Sequence, residues 1–402
     1  MITDVGAEFI INRLEERGFS AFYVGGCVRN AIMQKQIEDY DIATNALPEH
    51  VCEIFKDCKI FTPGISHGTV CILYKSLIYE VTTFRKESEY SDYRHPNSVT
   101  FCVDIISDLS RRDFTINAMA FNKTTGLIDN FGGFYDAQNK ILRAVNNPYL
   151  RFEEDALRIL RGLRFASVYQ LKIESATAKA MLEKAHLLCN ISAERIFNEL
   201  SKLITGANCA SILANYFSLF TTIVPELANV SQTEALFKLL SNCSDDLLER
   251  FTCLFIFSKE EFPLIAKRLK FPNDLTKKIS AIFNLLQNKL PIDKVSIKKI
   301  LTTNDDCFLH YLNVESTLAL TFNNAKKIDL CKQLYILYNE IVENNECYTL
   351  KHLAINGKDL KAMGFSGKNI GKALQFLLDS VIEEKVKNDK NNLQDYLKKN
   401  YG

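Results

Sequence analysis

Tryptophan is absent from the 402 residues, and so are the patterns that announce a thiolate or zinc centre. The 12 cysteines are scattered and form no Cys-x-x-Cys pair, Cys52 and Cys58 being the nearest two. The six histidines are dispersed, with no HExxH motif and no His-Asp pair. These absences argue against a secreted disulfide framework and against a zinc-dependent hydrolase. No apolar run approaches the roughly 18 residues of a membrane span. The opening stretch, MITDVGAEFIINRLEERGF, lacks a basic leader, and its apolar residues recur at helical spacing. A cytoplasmic protein with reduced thiols is the expectation. An excess of one charge is missing too: 49 Lys and Arg balance 48 Asp and Glu, leaving +1. A nucleic-acid partner would have to be met by a local basic surface.

What is present is an ordinary globular composition, 47 % hydrophobic and 24 % charged, in a chain long enough for two to three domains. The first third mixes helix and strand. Residues 5–18 read as an amphipathic helix and Ala21–Val24 as a short strand ending at Gly25-Gly26. A helix follows to about Met33. Asp39–Thr44 reads as a second strand, and 47–55 as a helix with Pro48 near its start. Residues 69–74 and 76–84 alternate like a hairpin turning at Lys75. Lys86–Asn97 is polar and reads as a loop, and 99–103 as a further strand. From about Pro148 long helical periodicities take over, with few Gly or Pro to interrupt them.

Five clusters could carry chemistry. Gly25-Gly26-Cys27-Val28-Arg29 joins a strand to a helix. Glycines let backbone N–H groups approach a phosphate, and Arg29 would add charge-assisted bonds. An ordinary tight turn is the plainer alternative. Asp39 and Asp41, two apart on a strand, would share a face. Carboxylates so placed repel unless a cation lies between them, and oxygen ligands suit Mg²⁺. Glu80, a lone acid in an apolar strand, could complete a triad for two-metal phosphoryl chemistry, or face solvent. Arg111-Arg112-Asp113 opens an amphipathic stretch in which Asp113 and Asn117, one helical turn apart, could grip a ribose. Finally Asp155, Arg158, Arg161 and Arg164 step by three along one helix. An Asp acceptor beside Arg donors could read the edge of a base, the amino group of cytosine or adenine suiting the Asp. A solvated salt-bridge ladder is the competing reading.

Taken together, these segments resemble the class II tRNA nucleotidyltransferases, the CCA-adding enzymes of the polymerase β superfamily. The resemblance runs in order through VGGCVRN (24–30), DYDIAT (39–44), PGISHGTV (63–70), YEVTTFR (79–85), RRDFTINAMA (111–120), LIDNFGGFYD (127–136), RFEEDALRILRGLRFA (151–166), ISAERIFNEL (191–200) and the tail segment 355–388. It implies an α+β head with a polymerase-β-type nucleotidyltransferase sheet, followed by an all-helical neck, body and tail. The expected divisions are 1–147, 148–206, 207–345 and 346–402. Asp39 and Asp41 would hold Mg²⁺, with Glu80 as the third catalytic carboxylate. Gly25, Gly26 and Arg29 would hold the triphosphate, with Arg112 and Asp113 contributing to triphosphate and ribose recognition. Asp155 and Arg158 would select the base, supported by Arg161 and Arg164. The substrates would be CTP, ATP and tRNA, gripped along its acceptor and T arms, with no membrane or protein partner evident. The chain departs from the family at Asn30, where Asp is usual. Loss of that charge is expected to hold Arg29 less firmly, with a modest effect on activity.

Among relatives of this type, poly(A) polymerases usually carry a basic GRRFR-type segment where this chain has PGISHGTV. CC-adding enzymes shorten the loop that here spans Lys86–Asn97. A-adding enzymes differ subtly. Full CCA addition is the expected activity. In the tail, Gly364–Lys372 combines a glycine turn with lysines, which suits RNA phosphate or a plain solvated helix–turn–helix.

Overall fold

The computed structural model describes residues 2–87 and 99–401. They form two compact units, Met1–Ala228 and Asn229–Gly402. The four-part division expected from sequence is finer than this.

In the first unit, helix α1 (Val5–Glu15) is capped by Asp4, whose Oδ1 accepts from the Gly6 and Ala7 N–H groups at 3.0 and 2.8 Å. The same oxygen accepts from the Tyr79 hydroxyl at 2.8 Å, so one carboxylate fixes both the helix start and its seat on the sheet. Strand β1 (Ala21–Val24) follows, then α2 (Gly26–Ile32), β2 (Asp41–Thr44) and α3 (Pro48–Ile54). Strands β3 (Lys59–Phe61), β4 (Thr69–Tyr74) and β5 (Leu77–Thr83) come next. The β4–β5 turn holds Lys75 and Ser76 both at positive φ, as a two-residue hairpin matched to strand twist requires. Strands β6 (Arg85–Glu87) and β7 (Val99–Phe101) pair antiparallel, so the segment expected to be loop from Lys86 begins as strand. The rest of that loop, 88–97, lies outside the described residues. Helix α4 (Ile105–Ser110), strands β8 (Ala120–Asn122) and β9 (Gly126–Ile128) and helix α5 (Gly133–Gln138) complete this part.

The seven-stranded sheet has the order β3-β4-β5-β2-β1-β8-β9. All its pairings are antiparallel except β2 with β5. One face buries Ile10, Leu14, Ile42, Val51, Phe55, Ile72 and Val81 beneath α1 and α3. The other packs Phe22, Val24, Phe84, Leu109, Ala120 and Val145. Beside this packing the second face stays open, and Glu80 is exposed there in the middle of β5.

Four helices then matter for the site: α6 (Pro148–Glu154), α7 (Leu157–Tyr169), α8 (Ser175–Glu183) and α9 (Ala193–Ile204). Residues 141–142 and 172–173 form a small parallel pair within this otherwise helical stretch.

The second unit is helical, as its periodicity predicts. Its polar centre is Glu249, which is 3 % exposed and accepts from His310 at 2.9 Å and from Asn313 at 2.6 Å. The hydrogen bond to Glu249 raises the His310 pKa above its ordinary value; burial and Lys278 oppose this, and Asp246 reinforces it. A raised histidine stabilises the fold fully below its unfolded pKa, about 6.5. That stability is lost as pH rises through the raised value. Calorimetric unfolding of the second unit's transition is therefore expected to shift to lower temperature over that pH range, and His310→Gln is expected to flatten the dependence.

Candidate active site

The end of β1, the start of β2 and the middle of β5 bring together the first set of predicted residues. Strand β2 lies parallel to β5 with Asp41 directly beside Glu80. Antiparallel to β2, β1 places Val24 opposite Asp41, so the chain turns at Gly25 next to that carboxylate. Asp39 does not follow the expected strand alternation. The strand begins only at Asp41, and Asp39 sits exposed in the irregular residues before it. It still faces the same cleft. Burial pushes the Asp41 carboxyl above its ordinary range; Arg112 draws it down, and the charges of Glu80 and Asp39 push it further up. Three hard oxygen donors whose charges oppose one another fit a divalent cation. They remain a loose set: among the described residues the trio of possible ligands with donor atoms within 4.8 Å is Asp246, Glu249 and His310 in the other unit. That trio is already committed, Asp246 capping the helix 247–255 and Glu249 accepting three side-chain hydrogen bonds. Cys27, behind the acids, donates to the Val24 carbonyl at 3.2 Å, and burial pushes its thiol up to about 11, which leaves it no nucleophile.

Gly25 has φ of +70°, and a Cβ there would lie 2.9 Å from Arg112 Nη1 and 3.7 Å from Asp41 Oδ2. The glycine thus serves both the turn and the close approach. Arg112 Nε is hidden from solvent with no acceptor, while its Nη2 reaches Asp108 at 3.3 Å. Arg29 is 6 % exposed and fully oriented. Its Nε and Nη2 donate to Asn30 Oδ1 at 3.1 and 2.9 Å, Nη1 donates to Asn117 Oδ1 at 2.6 Å, and Nη2 donates also to the Tyr169 hydroxyl. The guanidinium lies over the Tyr169 ring, 4.3 Å from its centroid. The expected loosening by Asn30 is therefore not what the structure shows. The Asn30 amide donates to the Gln36 carbonyl at 2.8 Å, which turns its oxygen toward Arg29.

Asp113 and Asn117 do meet, Asn117 Nδ2 donating to Asp113 Oδ1 at 3.0 Å, but through a 3₁₀ turn at 115–117 and not a turn of α-helix. Asp113 also receives Arg161 Nε and Nη2 on Oδ2 at 2.8 and 2.6 Å. Burial alone would push its carboxyl up; Arg161, with the Asn117 bond and Arg158, instead holds it well below the usual range. Its Oδ2 is spent on orienting Arg161, and its Oδ1 on Asn117 and the Phe114 N–H. Arg164 pairs with Glu199 at 3.1 Å and lies 4.2 Å from the Phe165 centroid.

The expected single helical row is broken at its first member. Asp155 has extended φ/ψ (−141°, 103°) and separates α6 from α7, leaving Arg158, Arg161 and Arg164 on α7. Its carboxylate accepts from the Leu157 N–H at 3.1 Å and from Arg195 Nη2 at 3.0 and 3.3 Å. Arg158 is turned away from Asp155, bonded to Glu154 at 2.6 Å and to the Arg111 carbonyl at 3.0 Å. Arg195 and Glu199 lie in the segment 191–200, where the sequence assigns neither a role. An ion on α9 facing the α6–α7 break has no local signal.

The twelve predicted catalytic and nucleotide-binding residues, from Gly25 to Arg164, all line one cleft of about 1110 Å³, together with Arg195 and Tyr169, whereas Cys27 and Asn30 do not. The family model described as Poly A polymerase head domain matches residues 21–143. Those for a probable RNA- and SrmB-binding site of polymerase A and for tRNA nucleotidyltransferase domain 2 match 170–230 and 244–397. The CCA-adding enzyme of Enterococcus faecalis is 36 % identical over 97 % of this chain and 94 % of its own length. That of Pediococcus pentosaceus is 36 % identical over 95 % and 94 %. The chain belongs to the CCA-adding enzymes. The crystal structure of the Bacillus stearothermophilus CCA-adding enzyme in complex with CTP is 30 % identical, superposes with a TM-score of 0.77, and is matched over 96 % of its length by 98 % of this chain. A Thermotoga maritima CCA-adding enzyme complexed with tRNA, at 20 % identity and a TM-score of 0.62, shares the fold.

The raised Asp41 pKa has a stability consequence. An acid whose ionisation is disfavoured by folding costs stability once it is charged. Asp41→Asn is expected to raise the melting temperature of the metal-free protein by a few degrees while nucleotide addition is lost; an unchanged or lower melting temperature would contradict the electrostatic picture.

Proposed function

We propose that this cleft adds C, C and A to the 3′ end of tRNA from CTP and ATP, without a nucleic-acid template. The observation that carries the reading is the Asp41–Glu80 register beside the Gly25 turn, facing the α7 arginines in a single cleft. Asp39 and Asp41 are the ligands for Mg²⁺, and Glu80 is the third acid. Mg²⁺ held there supplies Lewis-acid activation of the tRNA 3′-hydroxyl and charge stabilisation at the departing pyrophosphate. The 3′-oxygen forms a bond to the α-phosphorus while the bond to the bridging α–β oxygen breaks. Arg29, Arg112 and the backbone N–H groups after Gly25 hold the triphosphate and meet the charge that develops on it. Asp113 acts on the ribose side through Arg161 and Asn117. Asp155 offers an acceptor to the amino group of cytosine or adenine, and Arg158 supplies donors once it turns from Glu154. Arg161 and Arg164, paired with Asp113 and Glu199, support Asp155 and Arg158 from the wall of the cleft.

The head would span 1–147, the neck 148–206, the body 207–345 and the tail 346–402. The helical parts would grip the acceptor and T arms of tRNA, in the cytoplasm. No helix among the described residues is long and apolar enough to cross a membrane.

The deciding experiment supplies CTP, ATP or both, with Mg²⁺, to a tRNA transcript ending at its discriminator base. Two additions from CTP and a third, terminating one when ATP joins it are expected. A stop after CC would indicate a split activity, a long A ladder a poly(A) polymerase, and no addition with tight tRNA binding a non-catalytic role. In the same assay Asp155→Ala is expected to admit UTP and GTP while the KM for CTP rises less than threefold. Unchanged selectivity would remove Asp155 from base reading.

A further inference from the structure

The buried cation at Arg29 has no counter-ion among the described residues. No carboxylate among the described residues lies within ion-pair distance of it. Its partners are two amides, a phenol and the faces of two rings, those of Phe165 and Tyr169 at 5.3 and 4.3 Å. The acid whose charge acts on it, Asp113, is itself paired with Arg161. A guanidinium has five N–H donors; four are used here, and one on Nη1 is left over. Burying an unpaired charge is costly, and such a charge persists when a ligand supplies the missing partner. Arg29 lines the cleft, and its field reaches Asp41 at the acid cluster.

We infer that Asn30 leaves Arg29 deliberately uncompensated, so that the polyphosphate of the nucleotide is its only counter-ion, and that Tyr169 positions it from α7. This rests on the proposed reading of the cleft as a triphosphate site and adds a determinant of affinity to it. Neutral acceptors fix the guanidinium's direction without consuming its charge. An acid at position 30 would fix it equally well and would compete with the phosphates. Asn30 is thus a tuning residue that touches Arg29 and not the nucleotide.

Two variants separate charge from geometry. Asn30→Asp keeps oxygen acceptors for Arg29 and adds a negative charge. Asn30→Ala removes the acceptor and adds none. Calorimetric titration of the full chain with CTP and, separately, with inorganic tripolyphosphate, both with Mg²⁺, reads affinity without requiring catalysis. Binding of both probes is expected to weaken about tenfold in Asn30→Asp, the size of one partly screened charge interaction, and less in Asn30→Ala. The nucleotide-free melting temperature is expected to rise in Asn30→Asp and to fall in Asn30→Ala and Tyr169→Phe. A merely structural role for Asn30 gives the reverse order, with Asn30→Asp binding like the wild type and Asn30→Ala worse, and would overturn the inference. Failure of the wild type to bind either probe would instead overturn the triphosphate reading itself. Should Asn30→Asp not fold, equal affinity of Asn30→Ala and the wild type supports the charge account, and a tenfold loss in Asn30→Ala contradicts it.

Discussion

Two carboxylates held side by side on neighbouring parallel strands constrain everything else in the first unit. Asp41 and Glu80 share a register position, where like charges destabilise a sheet. The offset comes from apolar packing on both faces, Ile42 and Val81 on one side and Ala43 and Phe84 on the other. Ile42 and Val81 follow the two acids directly in sequence and are fully buried. Burial first, and the charges of Glu80 and Asp39 after it, raise the Asp41 carboxyl against the pull of Arg112. Placing Asp41 and Glu80 on strands and not on loops fixes the direction in which a cation would be bound.

The arginines answer this arrangement in two ways. Some are spent inside the protein: Arg161 on Asp113, Arg164 on Glu199, Arg158 on Glu154. Their role in the apo cleft is to hold its walls in place at little net charge. Arg112 shares Asp108 with Arg111, whereas Arg29 is held by neutral groups and keeps its charge available. This division reconciles a chain with a formal charge of +1 with a cleft able to receive a polyanion. Positive charge is concentrated where internal acids have been left out.

Local patterns made much of this legible. The Gly25-Gly26 turn, the paired acids of 39–41 and the lone acid in an apolar strand all carry short-range signals, and the ordered resemblance tied them into one site. Alternation failed at Asp39 because the strand starts two residues later than its β-prone composition suggests. The period-three row failed at Asp155 because the chain leaves the helical conformation there, with Leu157 N–H capped by the Asp155 side chain. Such a break has no proline or glycine to announce it. Arg195 on Asp155 and Tyr169 on Arg29 were invisible for a different reason: each spans a long sequence separation, and only packing decides which polar groups a helix face presents. The β6–β7 pairing likewise depends on partners across the segment 88–98.

The central claim is that Asp39, Asp41 and Glu80 form the divalent-cation site of this chain. Mn²⁺, counted by electron paramagnetic resonance with and without CTP, tests it most directly. The account predicts that the wild type binds Mn²⁺ more tightly when CTP is present, that Asp41→Asn abolishes this enhancement, and that His310→Gln leaves it intact. Enhancement surviving in Asp41→Asn and lost in His310→Gln would place the cation at the Asp246–Glu249–His310 cluster and contradict the account.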